Sequence, residues 1–146
     1  MIATDTITAA LGVGGYRLTQ PRRVVAAMIG AQAGRFTADD LVREASQRRL
    51  GVGRATIFRL LDLLADLGAV ERLDLPSGEH AYVRCEPAHH HHIVCSNCGR
   101  ATGIPEPGAV DMAREVARRT GYRVDVHRLE LFGVCPACQA TQTDPA

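Results

Sequence analysis

Eleven side chains of the kinds that ligate soft and borderline metals lie between His80 and Cys138, and residues 1–79 hold none of them. They are five cysteines and six histidines. Four of the cysteines form two CxxC pairs, Cys95-Ser96-Asn97-Cys98-Gly99 and Cys135-Pro136-Ala137-Cys138. A CxxC segment can fold as a tight knuckle that aims two thiolates at one point, and two knuckles complete a tetrahedral four-sulfur shell suited to zinc. Such a shell is closed, which makes it structural rather than catalytic. A disulfide framework is disfavoured by the odd cysteine count and by an amino terminus without a secretory signal. A thioredoxin-like redox pair would explain one CxxC but not two.

The fifth thiol, Cys85, lies five residues before His90 and seven before His92. His89 to His92 run directly into Ile93, Val94 and Cys95. In an extended segment alternate side chains share a face, so His90 and His92 point one way and His89 and His91 the other. One thiolate and two imidazoles make a borderline-soft site for Zn(II), and Glu71 is available as a fourth ligand. That ligand set would link two modules and let metal occupancy set the orientation of the first. The competing readings are a fortuitous histidine tract and, for His80, an ordinary surface residue.

These ligands need a scaffold. The gap between the two CxxC pairs predicts a helix over 110–119 and a strand over 122–132. Ahead of the ligands, three helices and a hairpin are expected. Thr19 caps the first helix, with Pro21 in its opening turn and Val25, Met28 and Ile29 on one face. Thr37 and Asp40 form a capping box for the second, which ends near Gly51. The third runs from Arg54 to Leu67 and stops at Gly68, with Ile57, Leu60, Leu61, Leu64 and Leu67 as its buried stripe. Residues 70–75 and 79–83 read as strands joined by Pro76-Ser77-Gly78. Three helices followed by a hairpin is the order of a winged helix-turn-helix.

Charge supports that order locally. The whole chain of 146 residues is nearly neutral, with 17 basic and 16 acidic residues, and every basic residue is arginine. Between Tyr16 and Arg59, however, nine arginines face three acids. Such a surface neutralises phosphates, and an arginine on the third helix can read guanine in the major groove. Arg54, Thr56, Phe58 and Arg59 on that helix, with Arg22 and Arg23 on the first, are the candidate DNA contacts; a solvated arginine face is the bland alternative. Aromatic residues make up only 4% of the chain, so its core must be aliphatic. No apolar run approaches the ~20 residues of a membrane span, and a cytoplasmic location follows as the expectation.

Two segments resemble the signatures of the Fur family of metal-dependent repressors: Gly53-Arg54-Ala55-Thr56-Ile57-Phe58-Arg59-Leu60-Leu61, and the run from His89 to Gly99. The second CxxC completes the likeness, which spans Tyr16 to Cys138. The resemblance implies an α+β protein with a winged-helix DNA-binding domain (1–84) and an α/β metal-binding and dimerisation domain (85–146). It further implies a homodimer on palindromic double-stranded operators, with no enzymatic activity, small-molecule substrate or membrane partner. Carried over by position, Cys95, Cys98, Cys135 and Cys138 match the structural zinc ligands. Glu71, Cys85, His90 and His92 match the regulatory site of the zinc-uptake (Zur) branch. His89, His91 and His127 match three ligands of a variable third site. Two Zn(2+) per chain are therefore expected, or three with that last site filled.

Two departures from the family pattern stand out. Val110 occupies the place of the third site's usual glutamate, which leaves Asp111 or Glu106 as substitutes. Phe58 stands where the family usually has tyrosine. Iron- and peroxide-sensing members take a histidine from the first domain; here no histidine precedes His80, and Arg35 lies near that place. With the soft thiolate of Cys85, this favours a zinc-responsive repressor of metal-uptake genes. The alternatives are a family sensor of iron, manganese, nickel or peroxide, and a zinc chaperone or storage module.

Overall fold

The computed structural model describes residues 2–85, 91–104 and 107–142. The chain forms two compact units, Met1–Ala88 and His89–Ala146. The first comprises α1 (Ile2–Val13), α2 (Gln20–Gly30), α3 (Ala38–Gln47), α4 (Arg54–Asp66), β1 (Val70–Asp74) and β2 (His80–Arg84). The second comprises β3 (His91–Cys95), β4 (Ala101–Ile104), α5 (Pro107–Thr120), β5 (Glu130–Gly133) and α6 (Pro136–Thr141). The fold is mixed helix and sheet, as expected. Among the described residues, no helix is long and apolar enough to cross a membrane.

The first unit is built on an aliphatic core. Val25, Ala26, Met28 and Ile29 of α2, Leu41 and Ala45 of α3, and Ile57, Leu60, Leu61 and Leu64 of α4 are all buried. The three-and-four spacing of the α4 set gives a single inward stripe, and Leu67 is half-buried just past the last turn. Gly68 then adopts φ +73°, a left-handed conformation that ends the helix without a Cβ penalty. α3 opens with the reciprocal cap its sequence predicts. The Asp40 N–H donates to Thr37 Oγ1 at 3.0 Å, and the Thr37 N–H donates to the Asp40 carboxylate at 2.9 Å. Thr19 precedes α2 in extended conformation but makes no side-chain cap. Pro21 sits at the second helical position, where a cap would normally find an N–H, and proline has none.

An additional helix, α1, precedes the three that the pattern predicts. Ile7 and Leu11 bury its inner face in the same core. It approaches α2 closely at Gly30, where a Cβ would lie 2.4 Å from Thr4 Oγ1. β1 and β2 pair antiparallel in the register Val70↔Arg84 to Asp74↔His80. Gly78, at φ +88°, closes the turn between them. Phe36, just before α3, bridges to Tyr82 on β2 through reciprocal backbone bonds of 2.9 and 2.7 Å. The wing is thereby pinned to the helical body.

In the second unit β3 is the central strand, antiparallel to β4 and parallel to β5. α5 begins earlier than the predicted 110–119 and ends at Gly121 (φ +74°). The strand predicted over 122–132 is a correction, since only Glu130–Gly133 pairs. The alternation of Tyr122, Val124 and Val126 imitates a strand, but β3 takes its two partners from β4 and β5, and Tyr122 and Val126 are 75% and 77% exposed.

Removing the reciprocal cap should loosen the first unit measurably. Thr37→Ala is expected to destabilise it by about 1 kcal/mol, read as a lower urea midpoint with unchanged slope; an unchanged midpoint would show that the cap carries no stability.

Candidate metal centres and nucleic-acid interface

The sulfurs of Cys95, Cys98, Cys135 and Cys138 all lie within 4.8 Å of one another. Cys98 Sγ and Cys135 Sγ are 3.8 Å apart. Zinc–sulfur bonds of about 2.3 Å at tetrahedral angles place neighbouring sulfurs about 3.8 Å apart, whereas a disulfide would need about 2.05 Å. The arrangement therefore fits a tetrahedral zinc. It is assembled from two different local structures. The first pair is a knuckle at the end of β3, where the Gly99 N–H donates to the Cys95 carbonyl at 2.9 Å and the Cys95 N–H to the Arg100 carbonyl at 2.8 Å. Gly99 takes φ +74° to make that turn. The second pair straddles the start of α6, with Cys135 as its cap and Pro136 in its first turn. A bond from Ser96 N–H to the Gly133 carbonyl, 2.8 Å, holds the knuckle against the end of β5.

Backbone donors prepare part of this shell for a cation. The Cys98 N–H, followed by the Cys135 N–H at 3.4 Å, points at Cys95 Sγ and brings that thiol down to about 6. The Cys138 N–H likewise lowers Cys135. Cys138, whose own thiol donates toward Cys135, is pushed up to about 12.

Glu71 and Cys85 meet at the end of the wing. Cys85 is tied to the hairpin by its N–H, which donates to the Ala69 carbonyl at 3.0 Å. Its Sγ lies 3.7 Å from Glu71 Oε2. Burial foremost, then the Glu71 charge and the hydrogen bond to it, push the Cys85 thiol up to about 12. Without metal Cys85 is thus a protonated thiol donating to a carboxylate. His92 is buried on β3 of the second unit, and His90 lies outside the described residues. His80 is engaged elsewhere, 2.7 Å from Asp74 across the exposed wing.

Of the third set, His91 is buried on β3 and its ring centroid lies 5.1 Å from that of half-buried His127. His89 and Glu106 lie outside the described residues. Asp111 is exposed on α5 beside Arg114, at 3.9 Å.

The candidate DNA contacts occupy two helices of the first unit. Arg54 and Arg59 are exposed on α4, with Thr56 and Phe58 half-buried between them. Arg54 pairs with Asp39 of α3 at 2.7 Å and lies 4.7 Å over the Phe58 ring. Arg59 Nε donates to the Ala55 carbonyl at 3.2 Å. Arg23 is exposed in the first turn of α2. Arg22 donates to the Arg17 carbonyl at 2.6 Å and lies 5.8 Å over Tyr16. Asp39 and Tyr16 were not evident from sequence, because neither partner pair sits at a helix-periodic spacing.

The Ferric uptake regulator family model matches residues 13–132. The chain belongs to this family. It is 32% identical over 127 residues to the ferric uptake regulation protein of Neisseria meningitidis serogroup A, across 86% of this chain and 88% of that one. It is 31% identical over 130 residues to the zinc uptake regulation protein of Mycobacterium tuberculosis, across 89% and 100% of the two chains. A solved zinc uptake regulator complexed with zinc and DNA shares its fold with TM-score 0.77 at 23% identity, covering 97% of this chain and 98% of that one. The family places this chain among metal-responsive transcription regulators rather than enzymes.

Two outcomes follow for the four-sulfur shell. Cys135→Ser should abolish its tight zinc and unfold the second unit, seen as one zinc fewer per chain and rapid proteolysis after the first unit; full retention of zinc would overturn the assignment. Because Cys95 is already ionised at pH 7 while Cys138 is not, loading zinc there should release fewer than four protons. Affinity should therefore rise with pH less steeply than four protons require, and calorimetry in buffers of different ionisation enthalpy measures the number.

Proposed function

We propose that this chain is a zinc-responsive repressor of metal-uptake genes, acting on palindromic operators as a zinc-loaded homodimer in the cytoplasm. Glu71, Cys85, His90 and His92 supply its sensory zinc ligands, and Cys95, Cys98, Cys135 and Cys138 the structural ones; His89, His91 and His127 offer a third site. The observation that carries the reading is the Cys85–Glu71 pair at 3.7 Å on the wing. A thiolate beside a carboxylate is a softer donor set than iron sensing requires, and it suits Zn(II).

Dimerisation is supported by the surface of the second unit. Ile93, Met112, Val116, Tyr122, Val124, Val126, Leu131 and Val134 are large apolar side chains exposed on it. A monomer seldom leaves so many uncovered, and a second copy would bury them. Arg54, Thr56, Phe58 and Arg59 of α4, with Arg22 and Arg23 of α2, form the DNA-facing surface of the winged-helix domain. The candidate recognition helix has no acidic residue in its first turn, which removes a repulsion that phosphates would otherwise meet.

A second reading, iron sensing, is favoured by the 32% identity to the ferric uptake regulation proteins. Titrating operator DNA binding with Zn(II) and with Fe(II) separates the two. Zinc should tighten binding at concentrations where Fe(II) does not. Cys85→Ser should weaken the zinc response at least about tenfold while leaving the fold and the four-cysteine zinc in place. Unaltered zinc dependence in that variant would remove Cys85 from the sensory site.

A further inference from the structure

We infer that Asp39 and Phe58 hold Arg54 as a pre-oriented reader of guanine, which makes Asp39 a positioning residue for sequence choice by α4. The inference rests on the reading above that α4 enters DNA. Three residues from two helices converge here. Arg54 opens α4, Phe58 follows one turn later on the same face, and Asp39 lies in the first turn of α3. One terminal nitrogen of Arg54 is 2.7 Å from Asp39 Oδ1, and its central carbon is 4.7 Å over the Phe58 ring.

The fold does not need this ion pair. The Arg54 and Asp39 side chains are 61% and 63% exposed, and an ion pair that open to water adds little stability. Asp39 is already favourably placed near the amino-terminal end of the α3 dipole. What the pair does is restrict a long side chain. Arginine is among the side chains with most rotamer freedom to lose on binding, and here the carboxylate holds one terminal nitrogen while the ring lies against the guanidinium. Phe58 is a rigid floor because it also packs against the aliphatic core.

The chemistry that such a guanidinium reads is specific. It carries five N–H donors and the ion pair draws on one nitrogen. Two parallel donors match O6 and N7 of guanine in the major groove, whereas adenine presents an acceptor beside a donor. The first residues of a recognition helix are those that reach base edges. Asp39 also brings a negative charge near the phosphates, which weakens binding to every sequence alike. Its presence therefore trades general affinity for discrimination.

The test uses full-length zinc-loaded protein and selection from a randomised duplex library, followed by anisotropy titrations. The wild type should select a guanine whose replacement by adenine weakens binding on the order of ten- to a hundredfold. Arg54→Ala should lose that preference. Asp39→Asn should lower the guanine penalty by at least about threefold, yet bind an unrelated duplex more tightly, because a repelling charge is gone. If either variant keeps the wild-type guanine penalty, the inference falls. If Asp39→Asn weakens all duplexes equally along with its thermal midpoint, Asp39 is structural and the inference also falls. A wild type that selects no sequence at all would instead overturn the DNA-binding reading beneath it.

Discussion

Convergence of four sulfurs is the constraint on which the second unit depends. Among its described residues, only Val94, Cys95 and Ala109 are buried apolar side chains, beside the buried imidazoles of His91 and His92. That is too little apolar surface to order a unit of this size, and small domains in this position need a metal or a partner. The sulfur shell meets the need by fastening the end of β3 to the start of α6, while the Ser96–Gly133 bond aligns β3 with β5. His91 and His92 lie on that same strand, four and three residues before Cys95. The shell that stabilises the unit therefore also fixes where those imidazoles stand.

The first unit follows the opposite strategy. Its buried set is mostly aliphatic, drawn from four helices and the wing with Phe36 and Tyr82 as its aromatic members, and contains no metal-ligating histidine or cysteine. Cys85 and Glu71 are positioned by the hairpin's backbone ladder and by the Cys85–Ala69 bond. Near-neutrality of the whole chain conceals this division, because the arginine excess is confined to the stretch that carries the candidate DNA contacts.

What was legible in the sequence depended on short-range chemistry. The α4 stripe, the Thr37–Asp40 box, the Gly78 turn and the two CxxC pairs each declare themselves within a few residues, and the structure contains all of them. Features that depend on distant partners were not legible. α1 is rich in β-branched threonine and needs the burial of Ile7 and Leu11 to persist. β4 is four residues long and is defined by pairing with β3. The stretch over 122–129 failed the other way, since alternation with neither face buried does not make a strand: Tyr122 and Val126 stay exposed. For the metal sites, residue types and spacing carried most of the information, but Asp39 beneath Arg54 could be found only in three dimensions.

Proton chemistry differs from one thiol to the next. Cys95 is held at about 6 by backbone donors, while Cys85 is pushed to about 12 by burial and the neighbouring Glu71 carboxylate. Zinc entering the four-sulfur shell would find Cys95 ionised but would have to expel the proton of Cys138, which is itself pushed up to about 12. On the proposed assignment, zinc binding at Cys85 must first expel a tightly held proton, and that cost is subtracted from its affinity. On the same assignment the Glu71 that holds the proton would become a ligand once zinc displaces it, so the carboxylate would raise the threshold for the metal and then stabilise the bound state.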